Sequence, residues 1–187
     1  SLVNLYGNCH CMNEARFIFY QMQEKSVVSW SNMITTCTQN GSPKEALNIF
    51  HGMQECGVKP NVITFICLMD ACSSLTSLHD GRAIDMCIDE SGLGGDVMLG
   101  NALMSMYGKC GSFQDAERVF HRLSDQTVVS WTALVSSFAQ SGHGADALAY
   151  LHQMMLEGII PDSIVLTSVL SACSHSGLID EAKCILC

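Results

Sequence analysis

Apolar residues recur along the chain with the spacing of buried helix faces, most clearly between residues 97 and 123. A first stripe, with neighbours three or four residues apart, comprises Leu99, Ala102, Leu103, Met106, Tyr107 and Cys110. A second stripe, which follows a Gly-Ser pair, comprises Ala116, Val119, Phe120 and Leu123. This spacing is typical of α-helices with one buried side. The pattern therefore predicts two helices joined by a short turn.

The two-helix pattern is repeated, and residues 128–162 closely match residues 27–61. The turn between the two helices is marked by a glycine at the same place of four units, at Gly41, Gly111, Gly142 and Gly177. A hairpin of this kind cannot bury its apolar face alone, so neighbouring hairpins must stack. The sequence therefore predicts an all-α superhelical solenoid with a layer of first helices and a layer of second helices.

Two serines are predicted to start second helices. Ser42 with Glu45 and Ser112 with Asp115 resemble capping boxes, in which the serine side chain accepts a backbone hydrogen bond. Pro43 suits the first helical position, because its missing N–H is not needed there.

Eleven cysteines raise the possibilities of a disulfide framework or a zinc site. The close pairs at 9–11 and 184–187 lack a second pair at the spacing of a structural zinc site. Other cysteines recur at matched places of the repeats, such as Cys9 and Cys110. We therefore expect buried thiols in a reducing compartment, and neither a metal nor another cofactor.

The net charge of −9 is unfavourable for a nucleic-acid binder, but the charge is unevenly distributed. The segments predicted as first helices hold one acidic residue, Asp70, and one basic residue, Lys109. The other acidic residues fall on predicted second helices and connecting segments. A surface lined by first helices is therefore expected to be nearly neutral. No run of eighteen apolar residues occurs, so no membrane span is predicted. No targeting segment is predicted either.

Two segments are specific enough to indicate a family. VVSWSNMITTCTQNGSPKEALNIFHGMQECGVKPN resembles a pentatricopeptide repeat, and LMSMYGKCGSFQDAERVF resembles the short unit of the plant PLS subclass. The resemblance covers the whole chain and implies a right-handed superhelical α-solenoid of helix-turn-helix repeats. The implied units are a partial short repeat at 1–26, a standard repeat at 27–61, a long repeat at 62–96, a short repeat at 97–127, a standard repeat at 128–162 and a partial long repeat at 163–187.

The resemblance implies sequence-specific binding of single-stranded RNA, one base per repeat. In this family the fifth and last residues of a unit select the base, and the second residue packs on its plane. The implied base-selecting residues are Ser31 with Asn61 for adenine, Ile66 with Asp96 for weak discrimination, Asn101 with Thr127 for a pyrimidine, preferably cytosine, Thr132 with Asp162 for guanine, and Thr167 in the last unit. The implied base-packing residues are Val28, Ile63, Met98, Val129 and Ile164. Lys109 is the implied phosphate contact.

The resemblance further implies a factor for C-to-U RNA editing or RNA processing in a mitochondrion or chloroplast. Its partners would be an organelle transcript and a protein of an editing complex, with no membrane. The segment lacks the H-x-E and C-x-x-C combination of a zinc deaminase, so it is expected not to be an enzyme. Two alternatives remain open. One is a helical scaffold that binds protein, and the other is a structural subunit of an organelle ribonucleoprotein.

Overall fold

The computed structural model describes residues 5–7, 9 and 11–178, and all regular structure in these ranges is helical. The predicted all-α fold of helical hairpins is therefore confirmed. The helices are α1 Met12–Gln21, α2 Val27–Gln39, α3 Pro43–Glu55, α4 Val62–Leu75, α5 Leu78–Glu90, α6 Val97–Lys109, α7 Phe113–Arg122, α8 Val128–Gln140, α9 Gly144–Leu156 and α10 Ser163–Ser176. None of these helices combines the length and apolarity that a membrane crossing requires. The chain separates into two compact units, Ser1–Ile84 and Asp85–Cys187.

The turns within the hairpins depend on a left-handed backbone. Gly111 has a φ of 71°, and the glycines at the same place after α2, α8 and α10 have φ values between 71° and 81°. Residues with a Cβ are disfavoured in this region. The glycine turn brings the second helix of each hairpin back against the first.

In the first unit, α2 is the central helix and packs against α1, α3 and α4. The edge of the Phe19 ring meets Trp30 with centroids 5.0 Å apart. Farther along, Phe50 and Phe65 make a second edge-to-face contact at 6.4 Å. These geometries are favourable for aromatic pairs. Aromatic residues thus join each helix layer to the next within this unit.

In the second unit, α8 is central and packs against α6, α7, α9 and α10. Phe120 meets Trp131 edge-to-face at 4.6 Å. Phe120 and Trp131 are the repeat equivalents of Phe19 and Trp30, so the two units contain the same inter-helix contact. This contact explains why the tryptophan recurs in the sequence.

A buried carboxylate connects α6 to its neighbours in the second unit. Asp85 is 3% exposed. It accepts hydrogen bonds from the Tyr107 hydroxyl at 2.8 Å, from Arg118 at 3.2 Å and from Arg122 at 2.8 Å. Burial, reinforced by the Asp85 carboxylate, raises the pKa of Tyr107 far above its usual value. The tyrosine therefore remains a hydrogen-bond donor throughout the physiological pH range.

The repeated Tyr-Gly sequence marks a close approach between first helices. A Cβ on Gly108 would lie 2.3 Å from the Cβ of Ser137 and 3.1 Å from its Cα. In the first unit, a Cβ on Gly7 would lie 2.5 Å from Oγ1 and 2.6 Å from Cγ2 of the equivalent residue, Thr36. Because a Cβ contact below 3 Å forces atoms apart, glycine is needed here for packing rather than for backbone freedom.

The two predicted capping boxes are wrong. Ser42 and Ser112 do precede α3 and α7, and Pro43 is the first residue of α3, but neither serine accepts a helix N–H. Ser112 instead donates to the Asp115 carboxylate at 2.6 Å. A capping side chain requires an extended residue, whereas ψ is 56° at Ser42 and 75° at Ser112. The glycine turn immediately before each serine imposes that backbone.

The cysteine prediction is confirmed in part. Cys37, Cys72 and Cys173 are buried, and burial raises the pKa of Cys37 to about 12. Cys9 and Cys56 are exposed, so the expectation of a buried thiol is wrong for them; Cys56 follows the last turn of α3 on its solvent side. Cys184 and Cys187 lie outside the described residues. No group of three or more His, Cys, Asp or Glu side chains in the described ranges is placed to hold a metal.

The hairpin turn after α4 has threonine where the others have glycine, and Thr76 has a φ of 50°. Replacement Thr76→Gly should raise the free energy of unfolding by about 0.5–1 kcal/mol, since it relieves a left-handed β-branched residue. Urea unfolding followed by circular dichroism measures this. Gly111→Ala is the matched control and should lower stability by about 1 kcal/mol, because φ alone opposes the added Cβ, which has open space around it. A loss of stability in Thr76→Gly would contradict the strain.

Candidate nucleic-acid interface

The second residue of each unit has an exposed apolar side chain near the start of a first helix. These side chains are 57–63% exposed and belong to Val28, Ile63, Met98, Val129 and Ile164. The third residue of each of these helices is buried, and so is the fourth at Trp30 and Trp131. Because successive helix residues are rotated by about 100°, the second residue is left facing solvent. An exposed apolar group of this kind suits contact with the face of a nucleobase.

The last residue of each unit caps the first helix of the next. Its side-chain oxygen accepts the backbone N–H of the third helical residue in every case. The pairs are Ser26 with Ser29 at 3.3 Å, Asn61 with Thr64 at 2.9 Å, Asp96 with Leu99 at 2.9 Å, Thr127 with Ser130 at 3.3 Å and Asp162 with Val165 at 2.8 Å. Such caps stabilise a helix by about 1 kcal/mol. The base-selecting residues predicted at this place therefore also define where each helix begins.

The cap determines which polar atom of the capping residue remains for a ligand. Asn61 uses its amide oxygen, which also accepts the Thr64 hydroxyl proton at 2.9 Å. The Nδ2 group, a donor, is not used by the cap. Asp162 uses Oδ1, so its other carboxylate oxygen, an acceptor, lies beyond the cap. The two standard units thus offer opposite hydrogen-bonding groups at the same place.

The fifth residues of the two standard units differ in exposure. Ser31 is only 4% exposed, and its hydroxyl lies 2.8 Å from the Val27 carbonyl and 2.6 Å from the Thr64 hydroxyl. Thr132 is half-buried; it donates to the Val128 carbonyl at 2.7 Å and lies 3.4 Å from the Asp162 carboxylate. The sequence places Ser31 off the apolar stripe of its helix, but the structure buries its side chain. Packing of α4 against α2 covers it.

The structure brings Ser31 and Asn61 together through Thr64, which the sequence analysis did not identify. Thr132 and Asp162 meet directly, because Val165 stands where Thr64 stands in the other unit and has no hydroxyl. The difference between Thr64 and Val165 at this third place was visible in the sequence. Its meaning was not, because the contact joins residues about thirty positions apart.

The remaining predicted residues have less defined surroundings. Ile66 is half-buried in the first compact unit, whereas Asp96 caps α6 in the second. Asn101 is half-buried, and its amide oxygen is buried with no hydrogen-bond partner among the described residues. Thr127 shares its oxygen between the cap and the Ser130 hydroxyl, at 3.2 Å. Thr167 is exposed and donates to the Ser163 carbonyl at 2.7 Å.

Charge on the first helices is as sparse as the sequence predicts. Lys109 is exposed in the last turn of α6 and makes no ion pair with any described residue. Part of the acidic charge on the second helices is paired instead, as between Arg16 and Glu45 or Arg122 and Asp89. The first helices are therefore nearly neutral, the caps Asp96 and Asp162 add two carboxylates beside them, and Lys109 is a cation available to a phosphate.

Comparison with known proteins identifies the repeats. The PPR repeat model matches residues 1–27, 101–126, 129–159 and 164–187, and the PPR repeat family model matches residues 25–74. The chain belongs to the pentatricopeptide repeat family. A pentatricopeptide repeat-containing protein of Arabidopsis thaliana is 39% identical over 97% of this chain and 26% of its own length. The chloroplastic pentatricopeptide repeat-containing protein CRR2 of the same plant is 38% identical over 98% of this chain and 28% of its own.

Solved structures show the same fold. The pentatricopeptide repeat protein PPR10 from maize superposes with a TM-score of 0.79 at 21% identity, over 98% of this chain and 28% of PPR10. PPR10 in complex with an 18-nt psaJ RNA element gives a TM-score of 0.74 at 20% identity, over 97% and 28% of the two chains. The present chain spans about a quarter of the length of the curated relatives it matches.

The cap at Asn61 predicts a stability difference between two substitutions. Asn61→Ala should lower the free energy of unfolding by about 1 kcal/mol, because the N–H of Thr64 loses its acceptor. Asn61→Asp keeps a capping oxygen and should change stability by only a few tenths of a kcal/mol. Urea unfolding of both variants tests this. Equal losses in the two variants would show that the cap does not stabilise α4.

Proposed function

We propose that this chain is the RNA-binding segment of a pentatricopeptide repeat protein and reads single-stranded RNA, one base per repeat. The observation that carries the proposal is the recurring pair at the start of each first helix. An exposed apolar side chain lies next to a capping residue, and the caps Asn61, Asp96 and Asp162 each have a second polar atom beyond the one that accepts the helix N–H. PPR10, whose fold this chain shares, has been crystallised with RNA.

The capping residues supply a chemical basis for distinguishing purines. The Watson–Crick edge of adenine presents an acceptor at N1, whereas guanine presents an N–H donor there. The Nδ2 donor of Asn61 complements adenine, and the outer carboxylate oxygen of Asp162 complements guanine. A wrong base would place donor against donor or acceptor against acceptor, leaving polar groups unpaired. The 27–61 unit thus reads adenine and the 128–162 unit reads guanine.

The other units complete the proposed site. Asn101 with Thr127 selects a pyrimidine, with cytosine preferred. The side chain of Ile66 cannot form hydrogen bonds, so the 62–96 unit discriminates weakly. The predicted repeat bounds and the PLS order of the units place one base on each unit from residue 27 to residue 162. The RNA core is then A-N-C-G from 5′ to 3′, where N is any base. Lys109 contacts a phosphate.

We place this segment in an organelle RNA editing or processing factor, in a mitochondrion or chloroplast. Its role there is binding, and deamination in an editing complex is carried out by another segment or protein. A protein-binding role is the second candidate, favoured by Leu156 at the end of α9 and Ile160 in the segment after it, which are 87% and 83% exposed. Failure to bind any RNA at low salt would favour this second role.

Reciprocal exchange of the capping residues tests base selection. Fluorescence anisotropy is measured with RNAs carrying ACCG, GCCG, ACCA or GCCA between U-tracts. The native chain should prefer ACCG, Asn61→Asp should prefer GCCG, and Asp162→Asn should prefer ACCA, each by roughly tenfold, as expected for one hydrogen bond gained and one mismatch removed. Each exchange leaves the other purine position as an internal control. Identical preferences in all three proteins would contradict the proposal.

The sparse charge predicts a weak dependence of RNA affinity on salt. The logarithm of the binding constant should fall with the logarithm of salt concentration with a slope of about −0.7 to −2, since each phosphate contact contributes about −0.7. Lys109→Gln should reduce the steepness by about 0.7 for every RNA sequence. Lys44→Gln, on the second helix α3, is the control and should leave the slope unchanged. A native slope steeper than about −4 would contradict this charge distribution.

A further inference from the structure

We propose that Thr64 is a positioning residue for base selection by the preceding unit. Thr64 belongs to the 62–96 unit, yet its hydroxyl joins the two base-selecting residues of the 27–61 unit. The proposal deepens the proposed function and depends on it. Thr64 contacts Asn61 and orients its amide towards the base, without touching the base itself.

The hydrogen bonds around Asn61 determine which way its amide points. The amide oxygen accepts two donors from the same residue, the Thr64 backbone N–H at 2.9 Å and the Thr64 hydroxyl at 2.9 Å. The Asn61 backbone N–H in turn donates to the Thr64 hydroxyl at 3.3 Å. A rotated amide would place Nδ2 against the backbone N–H, which can only donate, and would deprive the Thr64 hydroxyl proton of its acceptor. Thr64 therefore keeps the oxygen inward and the NH2 group outward.

Ser31 supports this arrangement through its contact with the Thr64 hydroxyl. Its single hydroxyl proton is shared between the Val27 carbonyl at 2.8 Å and the Thr64 oxygen at 2.6 Å, because the Thr64 proton is given to Asn61. Ser31 is 4% exposed and Thr64 is fully buried. Among these three hydrogen-bonded side chains, that of Asn61 is therefore the one that can reach a ligand. Ser31 acts on the base through Thr64.

The second standard unit provides a natural comparison. There Val165 occupies the place of Thr64, and Asp162 accepts only the Val165 backbone N–H in its cap. A carboxylate needs no such orientation, because both of its oxygens are acceptors. An amide has two unlike ends and does need it. The unit whose cap is the Asn61 amide thus has the Thr64 hydroxyl beside it, whereas the unit whose cap is the Asp162 carboxylate has Val165, with a methyl group in place of the hydroxyl.

The experiment compares the preference for adenine over guanine at the first RNA position in native, Thr64→Val, Thr64→Ser and Ser31→Ala chains. Thr64→Val should reduce this preference by roughly 3- to 10-fold, the value of one hydrogen bond, while the preference for guanine at the fourth position is unchanged. Thr64→Ser retains the hydroxyl and should retain the preference. Ser31→Ala should cost less than Thr64→Val, because the bond from Thr64 to Asn61 survives.

Two controls separate positioning from folding. Val165→Thr adds the hydroxyl in the other unit and should leave the first-position preference unchanged. A merely structural defect in Thr64→Val would weaken selection at both positions, and circular dichroism monitors folding directly. Should Thr64→Val not fold, Thr64→Cys replaces it; a thiol is a weak hydrogen-bond donor, so the first-position preference should fall in the same direction.

Each result leads to one conclusion. A native chain with no purine preference overturns the proposed function and the role of Thr64 together. A native preference that survives Thr64→Val overturns the role of Thr64 alone. A larger loss in Ser31→Ala than in Thr64→Val also overturns it, because Ser31 would then contact the base itself.

Discussion

One hydrogen bond organises this protein: the polar side chain that ends each unit accepts the N–H of the third residue in the next helix. The bond sets where every described first helix begins, at residues 27, 62, 97, 128 and 163. Once the start is set, helix geometry turns the second residue to solvent and the next two to the core. The exposed aliphatic side chain and the polar cap beside it are therefore consequences of a single local bond.

The same bond allows the repeats to differ without losing their fold. Serine, threonine, asparagine and aspartate are all good capping residues, so exchanging one for another costs little stability. They differ strongly in the group left beyond the cap, which is a donor in Asn61 and an acceptor in Asp162. A structural requirement that accepts several residue types thus leaves room for a choice that a ligand can sense.

The packing contacts between hairpins are the same in the two compact units, whereas the capping residues differ. Phe19 against Trp30 and Phe120 against Trp131 repeat the same edge-to-face contact in the two compact units. Close approach at Gly108 and Gly7 is likewise repeated. Most charged residues lie on the second helices and the connecting segments, where carboxylates such as Asp85 are paired with arginines. The first helices are left to present apolar and neutral polar groups.

The sequence by itself determined the helices, their glycine turns, the repeat family and the places of the candidate site, because these depend on contacts within a few residues or on a pattern repeated several times. It misjudged the caps of α3 and α7, where the preceding turn imposes a backbone that prevents side-chain capping. Tertiary structure alone decided the burial of Ser31, the exposure of Cys56 and the bridge through Thr64. The burial of Ser31 and the bridge through Thr64 arise when α4 packs against α2 and joins side chains about thirty residues apart, a proximity that no local pattern encodes.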